Sequence, residues 1–186
     1  MNKQLRTAGI VGIANVILLI PLVIFDLMAD KFGGVAGLPA FYLILYIVLS
    51  ILSTALTIVV LRGFVVIARK LKVRLLEIMS LTLMVFSVLF VFTDLMISLY
   101  ISAESFLSLI FTFSMVFILG ALSIPYGIGL LKLKKFGGIA TAAGVLNIIL
   151  GISFATILLA PLGALLIFPS AILEIIILFR ASRTLK

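Results

Sequence analysis

Two acids, Asp94 and Glu174, stand inside long apolar runs, and three uncharged polar residues, Asn15, Ser87 and Asn147, stand in similar surroundings. An ionisable group placed among apolar residues costs several kcal/mol, so each is a candidate for function. Glu174 could carry a proton or coordinate a cation. It lies six residues before Arg180, roughly 9 Å along a helix at 1.5 Å per residue. Gly163, Ser170 and Glu174 fall on one helical face, which points the carboxyl toward a neighbouring helix. The competing role is structural: a carboxyl bonded to a serine or a basic side chain that fixes packing.

Asp94 ends a seven-residue progression through Ser80 and Ser87, with Glu77 and Ser98 on the same side. The preceding apolar run offers a matching stripe of Ser50, Ser53, Thr54 and Thr57. Two facing hydroxyl stripes with an acid near each mouth would line a narrow polar path. The same residues could instead bond their own i−4 carbonyls and serve packing alone. For Asn15 and Asn147 the expected role is an interhelical hydrogen bond.

Other chemistry is not expected. The chain has no cysteine and no histidine, which removes thiol catalysis, thiolate and imidazole metal sites and the commonest general base. It has no phosphate-cradling glycine loop, no dinucleotide fingerprint and no serine–histidine constellation. The expectation is a protein without enzymatic activity, cofactor or metal.

The elements that must position these residues follow from composition. Of 186 residues 65% are hydrophobic and 11% charged, whereas soluble domains carry about 25% charged residues. Lipid is the solvent that accepts such a chain. A helix needs about 20 apolar residues to cross the hydrocarbon, and the pattern predicts six such helices over residues 7–25, 39–61, 77–100, 106–131, 138–159 and 163–179. The last two are separated by a break at Pro161 and Gly163. Lys3 and Arg6 precede a run of spanning length with no small-residue cleavage site after it, so this run reads as a first span rather than a leader. Pro21, Pro125 and Pro169 fall within spans and suggest kinks. The fold expected is an all-α, six-helix polytopic bundle forming one domain over 1–186.

Orientation follows from charge. Of the fourteen Lys and Arg residues all but Lys31 fall in the N-terminal segment, the second and fourth connections or the C-terminal segment. Lys31 lies beside Asp26 and Asp30, and the third connection holds Glu104. Basic loops are retained in the cytoplasm, so both termini are predicted cytoplasmic in a cell membrane. The net charge of +8 is then matched to anionic lipid headgroups and not to nucleic acid.

In lipid, helices associate through small residues that let backbones approach. Gly137, Ala140, Gly144, Asn147, Gly151 and Ala155 recur at three- and four-residue steps along the fifth span, with a shorter version, Ala8, Gly12 and Asn15, in the first. The stretch from Gly12 through Asn15 to Leu18 echoes that from Gly144 through Asn147 to Leu150.

Three stretches carry a family resemblance: Leu61-Arg62-Gly63-Phe64, the passage from Leu130 through Lys135-Phe136 to Asn147, and Ala171-Ile172-Leu173-Glu174 continuing to Phe179. In these the chain resembles a family of small multi-pass membrane proteins of unknown function found mainly in archaea. The resemblance implies a membrane location and an archaeal source, and no residue role. Two functions are then open. One is a non-catalytic accessory or assembly subunit that packs its small-residue faces on other membrane proteins or on copies of itself. The other is a transporter or channel for a small solute, proton or cation using Asp94 and Glu174.

Overall fold

The computed structural model describes residues 2–32, 34–100, 106–156 and 159–185. Gly33 and Glu104 lie outside the described residues, as do the side chains of Asp26, Asp30, Lys31 and Ser98. Six helices account for nearly all of the described chain: α1 (Lys3–Lys31), α2 (Ala40–Leu71), α3 (Arg74–Tyr100), α4 (Phe106–Leu131), α5 (Gly138–Ala155) and α6 (Ala160–Thr184). No strand occurs among the described residues. All six are long and apolar enough to cross a membrane, so the fold is the all-α six-helix polytopic bundle that the hydropathy predicts. Large apolar side chains face outward along the helices, among them Ile17, Val85 and Leu165 at 61%, 62% and 73% exposure. Such a surface is stable only against lipid.

Several boundaries differ from the hydropathy reading. The second helix does not stop at Leu61. It continues for ten residues through Arg62, Arg69 and Lys70, because Gly63, Phe64, Val65, Ile67 and Ala68 in that extension are buried in the bundle. The expected basic loop is therefore mostly helix, broken only at Lys72, whose left-handed backbone caps α2. α3 follows at once, and Arg69 donates to Glu77 at 2.7 Å across the turn. The fifth helix ends earlier than expected, at Ala155, and spans 18 residues, about 27 Å at 1.5 Å per residue. Pro161 opens the first turn of α6, where its missing N–H would be unpaired in any case. Pro21, Pro125 and Pro169 sit inside α1, α4 and α6, each of which runs on as one helix.

Each helix packs on the next, and α6 returns to α1, which closes the six into a ring. The contacts are of two kinds. Between α4 and α5 the backbones touch. A Cβ added to Gly127 would stand 2.7 Å from the Gly144 carbonyl oxygen, and one on Gly144 would stand 2.8 Å from that of Gly127. One turn pair further on, Gly120 and Gly151 repeat the arrangement at 2.6 and 2.7 Å. Elsewhere α6 sets side chains into glycine notches: Phe179 on Gly9, Ile175 on Gly12 and Leu178 on Gly63. The small-residue face expected on α5 is thus real at Ala140, Gly144 and Gly151 but is covered within the chain. Gly137 does not belong to it. It precedes α5 at φ 60° with nothing within 4 Å of its Cβ position, and it turns the chain after the buried Phe136.

The core is lopsided. Leu5, Phe64, Ile67, Leu76, Leu130, Leu133, Phe136, Ile177, Leu178 and Leu185 form one continuous cluster, all within the end of the bundle where the basic residues gather. The two ends of the chain meet there, with the Asn2 amide donating to the Ser182 carbonyl at 2.8 Å.

Because Gly127 and Gly151 meet backbone, which cannot move aside, Gly127→Ala or Gly151→Ala should lower unfolding free energy by about 1–3 kcal/mol. Gly138→Ala, at a site open to 4 Å, should be neutral or slightly stabilising. Unfolding in mixed micelles with increasing SDS, followed by circular dichroism, measures the difference.

Candidate functional site

Past the packed end, toward the middle of the helices, the ring opens into a cavity of about 340 Å³. Its walls come from five helices: Ser53, Thr54, Thr57 and Leu61 of α2; Leu83, Phe86, Ser87 and Phe90 of α3; Leu119, Ser123 and Tyr126 of α4; Asn147, Leu150 and Phe154 of α5; Ile167, Ser170, Ala171 and Glu174 of α6. Counted from the basic ends of their helices at 1.5 Å per residue, these positions lie about 8 to 27 Å into the bundle.

Glu174 is the acid of this cavity, half-buried on its wall. Asn147 holds it. The Asn147 Nδ2 lies 3.0 Å from Glu174 Oε1, 2.8 Å from Ser170 Oγ and 3.0 Å from the Ala143 carbonyl. Two amide protons serve three acceptors, so one bond is shared. Asn147 and Ser170 are buried at 6% and 4% exposure. The geometry follows from spacing: Ser170 and Glu174 are four apart on α6, hence stacked on one face, and the close seating of α5 at Gly144 and Gly151 brings Asn147 against them. The Tyr126 hydroxyl, from α4, faces the same carboxyl. The atom is buried, and the Glu174 carboxyl is the acceptor it is directed at. Its ring is clamped edge-on against Phe64, with centroids 5.9 Å apart. Arg69–Glu77 is a salt bridge at the surface, and no lysine or arginine of the described residues lines the cavity with Glu174.

Asn15 forms the counterpart on the other side of the ring. Its Nδ2 donates to Thr57 Oγ1 at 3.0 Å, and Ser53 Oγ donates to its Oδ1 at 3.0 Å. Each asparagine of the echoed stretches therefore bonds two residues four apart on the helix that follows its own. Asn15 anchors the wall from behind, since Ser53 and Thr57 line the cavity and Asn15 does not.

Ser87 lines the cavity and donates to its own Met84 carbonyl at 2.9 Å. Asp94 is elsewhere. It takes a hydrogen bond from Tyr46 of α2 and does not line the cavity. Glu77, the other acid of the α3 stripe, is held by Arg69. The stripe thus divides: Ser87 belongs to the cavity, Ser80 is fully buried with an unpartnered hydroxyl, and the two acids are tied to helix α2 at opposite ends. Thr54 and Thr57 do bond i−4 carbonyls, at 2.9 Å each, while still facing the cavity. The packing residues Gly12, Ala140, Gly144 and Gly151 stand behind the wall and set its helix spacing. Gly137 has no part in it.

Tyr126, Ser123 and the phenyl rings of Phe86, Phe90 and Phe154 went unread in the sequence. Tyr126 lies six residues from Lys132, where a tyrosine is expected in the interfacial aromatic belt, so its inward position carried no distinguishing mark. Searches against protein-family models, curated proteins and solved structures give no match.

Replacing Asn147 by leucine should strand Ser170 and Glu174 and lower stability by about 1–2 kcal/mol, the scale of interhelical hydrogen bonds in membranes. Glu174→Gln should cost less, because its amide oxygen can still accept from Asn147. The same SDS titration resolves the two.

Proposed function

We propose that this multi-pass membrane protein is a carrier of a small solute, which it takes into the cavity between α2 and α6 with Glu174 as the anchoring group. The observation that carries this reading is the cavity itself, with polar side chains converging on a carboxyl that no cation of the described residues neutralises. Its volume of about 340 Å³ falls within the range of small-molecule sites, about 300–1,000 Å³. A carrier fits better than an open channel, because the cluster around Phe64, Leu130 and Leu178 fills the basic end of the ring. The accessory-subunit reading drew on the glycine face of α5, and that face is already occupied by α4. Asp94, bonded to Tyr46 away from the cavity, is given no part in binding.

The same proposal places both termini in the cytoplasm of a cell membrane. Its support is the gathering of Lys3, Arg6, Arg62, Arg69, Lys70, Arg74, Lys132, Lys134, Lys135, Arg180 and Arg183 at one end of the ring. A groove of about 300 Å³ beside Lys3, Gln4, Thr7 and Arg62 lies at that end, where anionic headgroups would sit.

The absence of native cysteine makes single-cysteine variants direct tests. In native membranes Ser87→Cys should react with a small water-soluble methanethiosulfonate at least about tenfold faster than Val85→Cys, which faces lipid, because reaction needs the hydrated thiolate. Equal inertness of the two would overturn the cavity reading. In intact cells an impermeant maleimide should label Phe106→Cys and leave Thr184→Cys untouched until the membrane is opened. The reverse pattern would invert the topology.

A further inference from the structure

From the cavity's charge and lining we infer the class of solute: a small organic cation, with a protonated amine or quaternary ammonium on an apolar body. This inference rests on the carrier reading above and narrows it. Among the described residues Glu174 is the only acid on the cavity wall, and no lysine or arginine lines it. An anion entering the cavity would meet a carboxylate of its own sign with no compensating cation. A neutral solute would give the Glu174 carboxyl no counter-charge and would leave it neutral in a region of low dielectric. A cationic solute is the class that engages the carboxylate charge, supplying a counter-charge that no described residue on the wall carries.

The rest of the wall selects against a bare metal ion. Phe86, Phe90 and Phe154 face the cavity beside Tyr126, and the Phe86 and Phe90 rings lie with centroids 6.3 Å apart, tilted by 39°. Aromatic faces attract organic cations and accommodate their apolar bodies. An inorganic cation needs about six oxygens drawn close around it. Here no group of three or more metal-binding side chains stands together among the described residues, and the space is much larger than one ion. The fit is to a solute whose charged end rests on Glu174 and whose body fills the aromatic part.

The test uses the full chain in nanodiscs carrying Ser123→Cys, a cavity-wall position, with methanethiosulfonate labelling as the readout. Four probes are compared: benzyltrimethylammonium, its uncharged carbon isostere neopentylbenzene, phenylacetate and sodium chloride. The expected result is that benzyltrimethylammonium slows labelling at least about tenfold at saturation, while the other three have little effect. Adding Glu174→Gln should raise the half-protecting concentration at least about tenfold. Should that variant fail to fold, Phe90→Leu, remote from the Asn147 bond, should raise it about two- to fivefold through the lost cation–π contact. Protection by neopentylbenzene equal to that by the ammonium would overturn the cationic class and leave the small-solute cavity standing. Protection by sodium at equal concentration would overturn it in favour of an inorganic ion site. Labelling that none of the four probes slows would also overturn it. Complete inertness of Ser123→Cys would instead remove the hydrated cavity, and with it the carrier reading itself.

Discussion

Lipid removes the force that folds soluble proteins. An isoleucine turned toward acyl chains is as well solvated as one turned toward a neighbouring helix, so apolar burial alone does not choose among arrangements of six greasy rods. Selection passes to contacts that lipid cannot imitate, and this bundle uses two. One is backbone approach at Gly120, Gly127, Gly144 and Gly151, where α4 and α5 come too close for any side chain to intervene. The other is hydrogen bonding from Asn15 and Asn147 to the helices that follow them. Both act at fixed registers, and together they determine which residues face inward. The cavity is a consequence: α5 seated tightly on α4 carries Asn147 to α6, and Asn147 in turn holds Glu174 at the wall.

The placement of charge obeys the same scarcity. Glu77 and Asp94 each find a partner on α2, an arginine in one case and a tyrosine in the other. Glu174 receives an amide, and no lysine or arginine of the described residues lines its cavity. A bundle that merely needed to hold together would lose little by placing glutamine there, since the amide oxygen accepts the same bond from Asn147. The carboxyl can take a charge whose stabilisation the described residues do not complete, and the cationic solute proposed above would supply that counter-ion.

Much of this is legible in the sequence. Six spans followed from hydropathy because the requirement for about 20 apolar residues is nearly absolute in a bilayer. The face shared by Ser170 and Glu174, and the small-residue face of α5, followed from helical period. What hydropathy could not reach was where helix continues after the apolar run ends. Arg62 reads as a loop residue, yet α2 runs on past it because Phe64, Ile67 and Ala68 are buried by helices distant in sequence. It also could not say which partner covers a glycine face. Gly120 and Gly127 on α4 match Gly144 and Gly151 on α5 at the same seven-residue step, a correspondence visible only once the pair of helices is considered together. Asp94 and Glu174 looked alike as intramembrane acids. Their separation depends on which helix stands opposite each, and period alone is silent on that.

The packed end and the cavity are not independent compartments. Leu61 and Tyr126 belong to both: they are members of the continuous core cluster and they line the cavity. Tyr126 leans on Phe64, a fully buried residue of that cluster, while its hydroxyl faces Glu174. That carboxyl is the group that the proposed solute would also engage. On the carrier reading proposed above, a group resting on Glu174 would meet the same tyrosine that packs on Phe64 in the core of the basic end. Under that proposal, filling the cavity would bear on the closed end through Tyr126, a residue common to both.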